Sequence, residues 1–194
     1  MSDLQVGILL YPGAEELDWA GPFEVFSMAA MGKDLAVKTI AQTFDPVRCA
    51  KGLRVLPDCD FASAPPLDVI LVPGGEGSRV EMDNPVLIEW LAAAAVPCTW
   101  VTSVCTGSIL LVRAGLATGC EITTHWAYVE TLRELAPDSK VMEDIRYVRD
   151  GRVLTSAGVS AGIDMSLWLV GELFGADHAR STRKWMQYDP EPPY

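Results

Sequence analysis

Short, continuous apolar runs alternate along this chain with longer segments in which apolar residues recur every three or four positions. The apolar runs predict strands that are covered on both faces, at residues 5–12, 35–41, 67–72 and 99–104. The periodic segments predict helices, at residues 14–30, 85–95, 106–114, 126–135, 160–174 and 176–188. This alternation predicts an α/β fold: a doubly wound, mostly parallel sheet in a flavodoxin-like sandwich, with residues 1–194 as a single domain.

Turn signals refine this outline. Gly21-Pro22 falls inside the first helical segment and predicts a break or a restart there. Lys51-Gly52 separates two short apolar runs, and Asp150-Gly151 interrupts another, so we expect two β-hairpins appended to the sheet. Further short strands are predicted at residues 122–125 and 140–143.

Composition and charge exclude several classes of partner. Hydrophobic residues make up 49% of the 194 residues, which argues against a disordered chain. The formal net charge of −11 disfavours nucleic acid and anionic membrane surfaces as partners. No apolar run approaches the roughly 18 residues that a membrane span needs, and the N-terminus lacks the positive start of a signal peptide. We therefore expect a cytoplasmic protein.

The cysteines are too irregular for a disulfide framework or a zinc site. Their number, five, is odd, none forms a CxxC pair, and the chain has only two histidines. Reduced thiols that serve mostly as small core residues are the expected arrangement, and neither a metal nor an organic cofactor is predicted.

Cys105 differs from the other cysteines because it lies between a predicted strand and a predicted helix with no loop between them. Its neighbours Ser103 and Gly107 are small, as a nucleophile elbow requires. We expect the adjoining helix N-terminus to lower the pKa of the thiol and so favour thiolate. A buried core cysteine at a strand end is the alternative that the spacing leaves open.

Two further segments are predicted to reach the same edge of the sheet, where ligands bind in open parallel sheets. Gly74 and Gly75 end the strand at 67–72, and their backbone N–H groups could stabilise negative charge on a substrate. The alternative is a tight turn. Asp18 falls between Leu17 and Trp19, so a shielded carboxyl that keeps its proton and acts as a general acid is one interpretation. A solvated aspartate or a helix cap is the other.

These segments together resemble the ThiJ/PfpI superfamily, which has the class I glutamine amidotransferase-like fold, and the resemblance covers essentially the whole chain. Within it, the sequence resembles the isocyanide hydratase group. The stretches that carry the resemblance are LDWAGP (17–22), LDVILVPGG (67–75), VTSVCTGSILL (101–111), TTHWAY (123–128), VRDGRVLTSAG (148–158), AGIDM (161–165) and QYDPEPP (187–193).

The resemblance implies a small-molecule isocyanide as substrate and a homodimer as the assembly. Cys105 would attack the isocyanide carbon to form a thioimidate, Asp18 would transfer protons, and Thr106 would position both groups. Backbone N–H groups near Gly75 and Thr106 would hold the substrate, in a small apolar pocket. No cofactor is needed for this reaction.

Departures from the wider superfamily leave other functions open. Protease-like relatives carry a His directly after the cysteine, where this chain has Thr106. Glyoxalase and deglycase relatives, which act on α-oxoaldehydes, use a Glu where this chain has Asp18. Relatives that regulate transcription add a helix-turn-helix domain, which is not expected in this chain. A glyoxalase- or deglycase-like enzyme and a cysteine redox sensor or chaperone are the alternatives.

Three aromatic or imidazole side chains are possible additions to the site. Trp19 and Trp126 could line the pocket or belong to the core. His125 could act as a base for the cysteine, but we expect a structural histidine that donates a hydrogen bond to the backbone.

Overall fold

The computed structural model describes residues 4–191, so the chain ends, including the last two residues of the 187–193 stretch, lie outside the described range. The strands are β1 (Leu4–Leu9), β2 (Leu35–Ala41), β3 (Val47–Arg48), β4 (Arg54–Val55), β5 (Cys59–Asp60), β6 (Val69–Val72), β7 (Trp100–Val104), β8 (Glu121–Ile122), β9 (Lys140–Val141), β10 (Tyr147–Asp150) and β11 (Val153–Ser156). The α-helices are α1 (Glu16–Ala29), α2 (Ser78–Glu81), α3 (Pro85–Ala94), α4 (Gly107–Arg113), α5 (Val129–Leu135), α6 (Ala161–Phe174) and α7 (Ala176–Trp185).

The main sheet has seven strands in the order β10-β11-β7-β6-β1-β2-β5. All neighbouring strands are parallel except β10 and β11. The chain leaves β1 toward β2 on one side and later returns to β6 on the other, which is the strand order of a doubly wound sheet. The predicted fold class is therefore confirmed.

Both predicted hairpins form, but in different places. β10 and β11 pair antiparallel across a turn at Gly151, whose φ is 57°, and they extend one edge of the main sheet. β3 and β4 pair antiparallel as a two-stranded sheet of their own. The short strands β8 and β9 form a third sheet, in which they are parallel.

Helix α1 continues through Pro22, so the predicted break at Gly21-Pro22 is wrong. A proline inside a helix costs about 3 kcal/mol, but Pro22 is buried here, together with Val25 and Phe26 on the following turn. Gly21 lies so close to α6 that a Cβ atom would come within 2.9 Å of Ile163 Cγ1. Burial of this surface against α6 therefore outweighs the lost hydrogen bond.

The helices cover the sheet in two groups. α1, α6 and α7 contact one another, whereas α4 contacts α2 and α5. Apolar side chains of the central strands, such as Ile8, Ile70 and Val101, are fully buried between these layers. Within residues 4–191, no helix has the length and apolar character to cross a membrane.

The topology brings the segments with unusual sequence to one edge of the sheet. Because β1, β6 and β7 are adjacent and parallel, their carboxyl ends meet there. Asp18 follows β1, Gly74 follows β6 and Cys105 follows β7. This edge is where the strand order reverses, the usual location of a ligand site in such folds.

Candidate active site

Cys105 occupies the sharp turn between β7 and α4, and its φ of 57° lies in the left-handed region. Its N–H donates to the carbonyl oxygens of Ser156 and Ala157, each at 3.1 Å, and its own carbonyl accepts the Thr124 hydroxyl at 2.9 Å. Gly107 lies so close to β6 that a Cβ atom would be 2.1 Å from the Val72 carbonyl oxygen. These contacts hold the strained backbone in the predicted nucleophile elbow.

The turn after β6 packs directly on the elbow. A Cβ atom at Gly74 would lie 2.5 Å from the Thr106 nitrogen and 2.9 Å from Cys105 Cβ, so no side chain fits there. The Gly74 N–H donates to Asp18 Oδ2 at 2.9 Å, and the Gly75 N–H donates to Thr106 Oγ1 at 3.0 Å. Both amides were expected to face a substrate; instead they hold the side chains of the site.

Thr106 ties the elbow to this turn and to α2. Its hydroxyl accepts hydrogen bonds from the Gly75 N–H at 3.0 Å and the Ser78 hydroxyl at 2.8 Å. It lies 3.2 Å from the Gly75 carbonyl oxygen, to which it can donate. The backbone and hydroxyl of Thr106 also face the Cys105 sulfur and favour its ionised form. Thr106 is almost fully buried, so these bonds form away from water.

Asp18 is fully buried beneath the elbow, as the shielded interpretation of the sequence predicts. Burial raises the pKa of its carboxyl from 3.8 to about 7, against the lowering effect of the hydrogen bond from the Gly74 N–H. The nearby charge of Glu15 raises the pKa further, whereas the Cys105 thiol and the Val159 N–H lower it. Within the described residues, no group lies in hydrogen-bonding geometry to the other carboxyl oxygen of Asp18, Oδ1. This oxygen therefore remains able to accept a proton.

The prediction that the pKa of the Cys105 thiol is lowered is wrong. Burial and the charge of Asp18 raise the pKa of this thiol to about 12, and the N–H groups of Thr106 and Val159 only partly oppose the shift. The short helix α4 does not compensate for removal of the sulfur from water. The resting group is therefore a neutral thiol, and a base must remove its proton before a thiolate forms.

Sequence reasoning missed two residues that shape the site. Val159 has a φ of 51°, and its N–H faces both Asp18 and Cys105. Tyr11 is buried, with its hydroxyl 2.5 Å from the Pro73 carbonyl oxygen and 3.0 Å from that of Gly74. The available signal for Tyr11 was its position directly before Pro12-Gly13, at the end of the first predicted strand. Val159 gave none, since a β-branched residue rarely adopts a positive φ.

A cavity of about 210 Å³ is lined in part by Cys105, a residue that keeps 6% of its surface accessible. It is small, as expected, but three charged side chains line it where an apolar surface was predicted. The lining residues are Glu15, Gly75, Glu76, Arg79, Cys105, Thr106, His125, Tyr128 and Val159.

Of the three side chains considered as additions to the site, only one lines the cavity. His125 lines the cavity, and its Nδ1 accepts a hydrogen bond from the Ala127 N–H at 3.2 Å, so it accepts from the backbone instead of donating to it. Trp126 begins a short 3-10 helix and is 79% exposed, so it belongs neither to the core nor to this cavity. Trp19 is a core residue.

All five cysteines are free thiols in the structure. Within the described part of the chain, no group of three or more His, Cys, Asp or Glu side chains is arranged to hold a metal ion.

Most of the chain matches a known protein family. The model of the DJ-1/PfpI family matches residues 4–172. The chain belongs to the DJ-1/PfpI family. The ThiJ/PfpI resemblance seen in the sequence is thereby confirmed.

Individual relatives of this DJ-1/PfpI chain differ in their described roles. The isonitrile hydratase of Pseudomonas putida is 39% identical over 191 residues, which cover 98% of this chain and 81% of that protein. The Parkinson disease protein 7 homolog of Danio rerio is 29% identical over 91% of this chain and 93% of its own. A crystal structure of a ThiJ/PfpI family protein from Pseudomonas syringae superposes with a TM-score of 0.92 at 32% identity, covering 100% of this chain and 78% of that one.

Proposed function

We propose that this chain is an isocyanide hydratase, which converts R–N≡C and water into the formamide R–NH–CHO. The observation that carries the proposal is the Cys105 elbow with the buried Asp18 carboxyl beside it, open to a small cavity. Similarity over nearly the whole chain to an isonitrile hydratase, isonitrile being a synonym of isocyanide, supports this substrate class.

The first half of the reaction joins the sulfur to the isocyanide carbon. Asp18, as a carboxylate, takes the thiol proton while the Cys105 sulfur bonds to the terminal carbon. The proton then passes from Asp18 to that same carbon, which gives the neutral thioimidate R–N=CH–S–Cys105. A carboxyl with a pKa of about 7 suits this exchange because it can both accept and return a proton near neutral pH.

The second half hydrolyses the thioimidate. Asp18 accepts a proton from water as the water oxygen bonds to the thioimidate carbon, and it returns that proton to the nitrogen. The hydroxyl of the resulting R–NH–CH(OH)–S–Cys105 gives its proton to Asp18 as the C–S bond breaks, the sulfur takes this proton from Asp18, and R–NH–CHO leaves. Atoms balance over the cycle without a cofactor, because the product is the sum of one isocyanide and one water.

Thr106, Gly74 and Gly75 act by positioning in this proposal. The Gly74 N–H fixes one oxygen of Asp18, which leaves the other available for protons. Thr106 holds the glycine turn against the elbow through its hydroxyl. His125 lines the cavity and is not needed as the base.

Formamide production from cyclohexyl isocyanide tests the proposal. The parent protein should form N-cyclohexylformamide, and Cys105→Ser and Asp18→Asn should each lose at least about 100-fold in kcat/KM. Cys120→Ser is the matched control, because this thiol lies in a different part of the fold and should leave turnover unchanged. Full activity of Asp18→Asn would remove the proton-carrier role.

Two other outcomes would change the assignment. Conversion of methylglyoxal at a rate comparable to or above that of any isocyanide would favour the glyoxalase- or deglycase-like alternative. Absence of turnover on every isocyanide, together with binding of a protein partner only after Cys105 is oxidised, would favour the redox sensor.

The proposal also covers the cellular location and the oligomeric state of the enzyme. We infer a cytoplasmic homodimer that acts as one domain on a free small molecule. Light scattering at micromolar concentration tests the assembly, since a dimer doubles the 21.0 kDa chain mass.

A further inference from the structure

Arg79 combines a place in the cavity with an unused charge. It is the second residue of α2, and it lines the same cavity as Cys105. Its guanidinium carbon lies 5.0 Å from the centroid of the Tyr128 ring, which also lines the cavity. The pair therefore bridges the segment after β6 and the short helix at Trp126–Tyr128.

The guanidinium has no anionic partner in the described part of the chain. Arg113, Arg133 and Arg146 each form an ion pair with a carboxylate, whereas Arg79 forms none within residues 4–191. It also donates no hydrogen bond to a protein acceptor in that range. A guanidinium that stacks on an aromatic ring keeps the N–H groups on its edge available, and that planar edge matches a carboxylate in two parallel hydrogen bonds.

Two acidic residues also line the cavity, and Lys51 offsets part of their charge. Lys51 Nζ binds Glu15 Oε2 at 2.9 Å, and the charges of Glu16 and Glu76 act on the same ammonium. With Arg79, the formal charges of this group sum to −1, so Arg79 itself, and not the group as a whole, attracts an anion. The group's one cation without a carboxylate partner is Arg79.

We propose that Arg79 selects the substrate by binding a carboxylate on its R group, so that the preferred substrates are small isocyano carboxylates. This inference rests on the proposed function and adds the substrate class to it. A cavity of about 210 Å³ accommodates a short R group. One end of such a molecule is held by Arg79, and the isocyanide end is free to reach Cys105 in the same cavity.

Kinetics on a matched pair of substrates test the selection. The parent should have a higher kcat/KM for isocyanoacetate than for its ethyl ester. Arg79→Gln should lower kcat/KM for isocyanoacetate roughly tenfold or more, mainly through KM, and change that for the ester less than about twofold. Arg79→Lys should retain part of the preference, since it keeps the charge without the planar fork. Arg180→Gln, on the exposed part of α7, is the control and should change neither value.

Alkylation of Cys105 separates this inference from the proposed reaction. Iodoacetate and iodoacetamide have similar size and differ in charge, and the modified Cys105 peptide is quantified by mass spectrometry. The rate ratio of iodoacetate to iodoacetamide should fall several-fold in Arg79→Gln and stay unchanged in Arg180→Gln.

Together, the two assays distinguish failure of the Arg79 inference from failure of the proposed function. A ratio that falls while no isocyanide is hydrated would retain the anion site and reject the proposed function. Hydration of both isocyanides, with equal losses for acid and ester in Arg79→Gln and an unchanged alkylation ratio, would overturn the role of Arg79 and leave the proposed function intact.

Discussion

Replacing Asp18 by asparagine is expected to make the fold more stable relative to the parent as pH increases, while it removes the proposed proton carrier. The pKa of the carboxyl is 3.8 in an ordinary aspartate and about 7 in the folded protein, because burial disfavours its charge. The unfolded chain therefore releases this proton first. Stability falls as pH rises from about 3.8 to about 7 and levels off above it.

The size of the effect follows from about 1.4 kcal/mol for each pH unit between the two pKa values. Relative to strongly acidic pH, the difference between the two pKa values of Asp18 should lower the free energy of unfolding by about 4 kcal/mol at pH 8 and by about 1 kcal/mol at pH 4.5. The asparagine amide of the variant does not ionise. The stability advantage of the variant over the parent should consequently grow by about 3 kcal/mol between these two pH values, whatever the fixed cost of packing the amide.

Urea unfolding of parent and variant at both pH values measures this difference. Asp138→Asn, which removes an exposed carboxyl, serves as the matched control. A difference between Asp18→Asn and the parent that stays constant across the pH range would refute the argument that burial controls this carboxyl. That result would also remove the raised pKa as the reason for expecting Asp18 to exchange protons near neutral pH.

Three further outcomes are expected. The kcat/KM for a neutral isocyanide should rise as pH increases through about 7, since Asp18 must be a carboxylate to take the thiol proton. A pH–rate profile that shows no rise near pH 7 would contradict the mechanism. Thr106→Val should lose turnover and about 1–3 kcal/mol of unfolding free energy in urea titrations, because the Gly75 N–H and Ser78 hydroxyl lose their acceptor. Thr106→Ser should retain turnover and stability. Losses in Thr106→Ser as large as those in Thr106→Val would argue against a role for these hydrogen bonds. Gly74→Ala should unfold at lower temperature and lose formamide production, since its Cβ would press on Thr106, whereas Gly171→Ala has 3.7 Å to its nearest neighbour and should do neither.

The positions of the main strands along the chain and the elbow were predictable because each depends on local pattern. Continuous apolar runs marked β1, β6 and β7, and the absence of a loop between residues 104 and 106 marked the strained turn at Cys105. The shielding of Asp18 was one of the two interpretations that its neighbours Leu17 and Trp19 left open. Pro22 misled the prediction because burial against α6 is a tertiary effect that no local propensity contains.

The electrostatics of the site were beyond sequence reasoning because they depend on burial in three dimensions. A cysteine before a short helix suggests a lowered pKa, but the depth of the sulfur and its distance from Asp18 decide the sign. The cavity lining was missed for a related reason. Glu15, Arg79 and Tyr128 come from three segments that are far apart in sequence, and only the fold brings them together.

The tight packing of Gly74 on the elbow has a consequence for engineering. Since the amides beneath Cys105 already hold Asp18 and Thr106, mutations there should disrupt the proposed catalytic groups before they alter selectivity. Positions 76, 79 and 128 carry side chains at the cavity without those constraints. Libraries intended to broaden or redirect the range of accepted compounds therefore belong at these three positions.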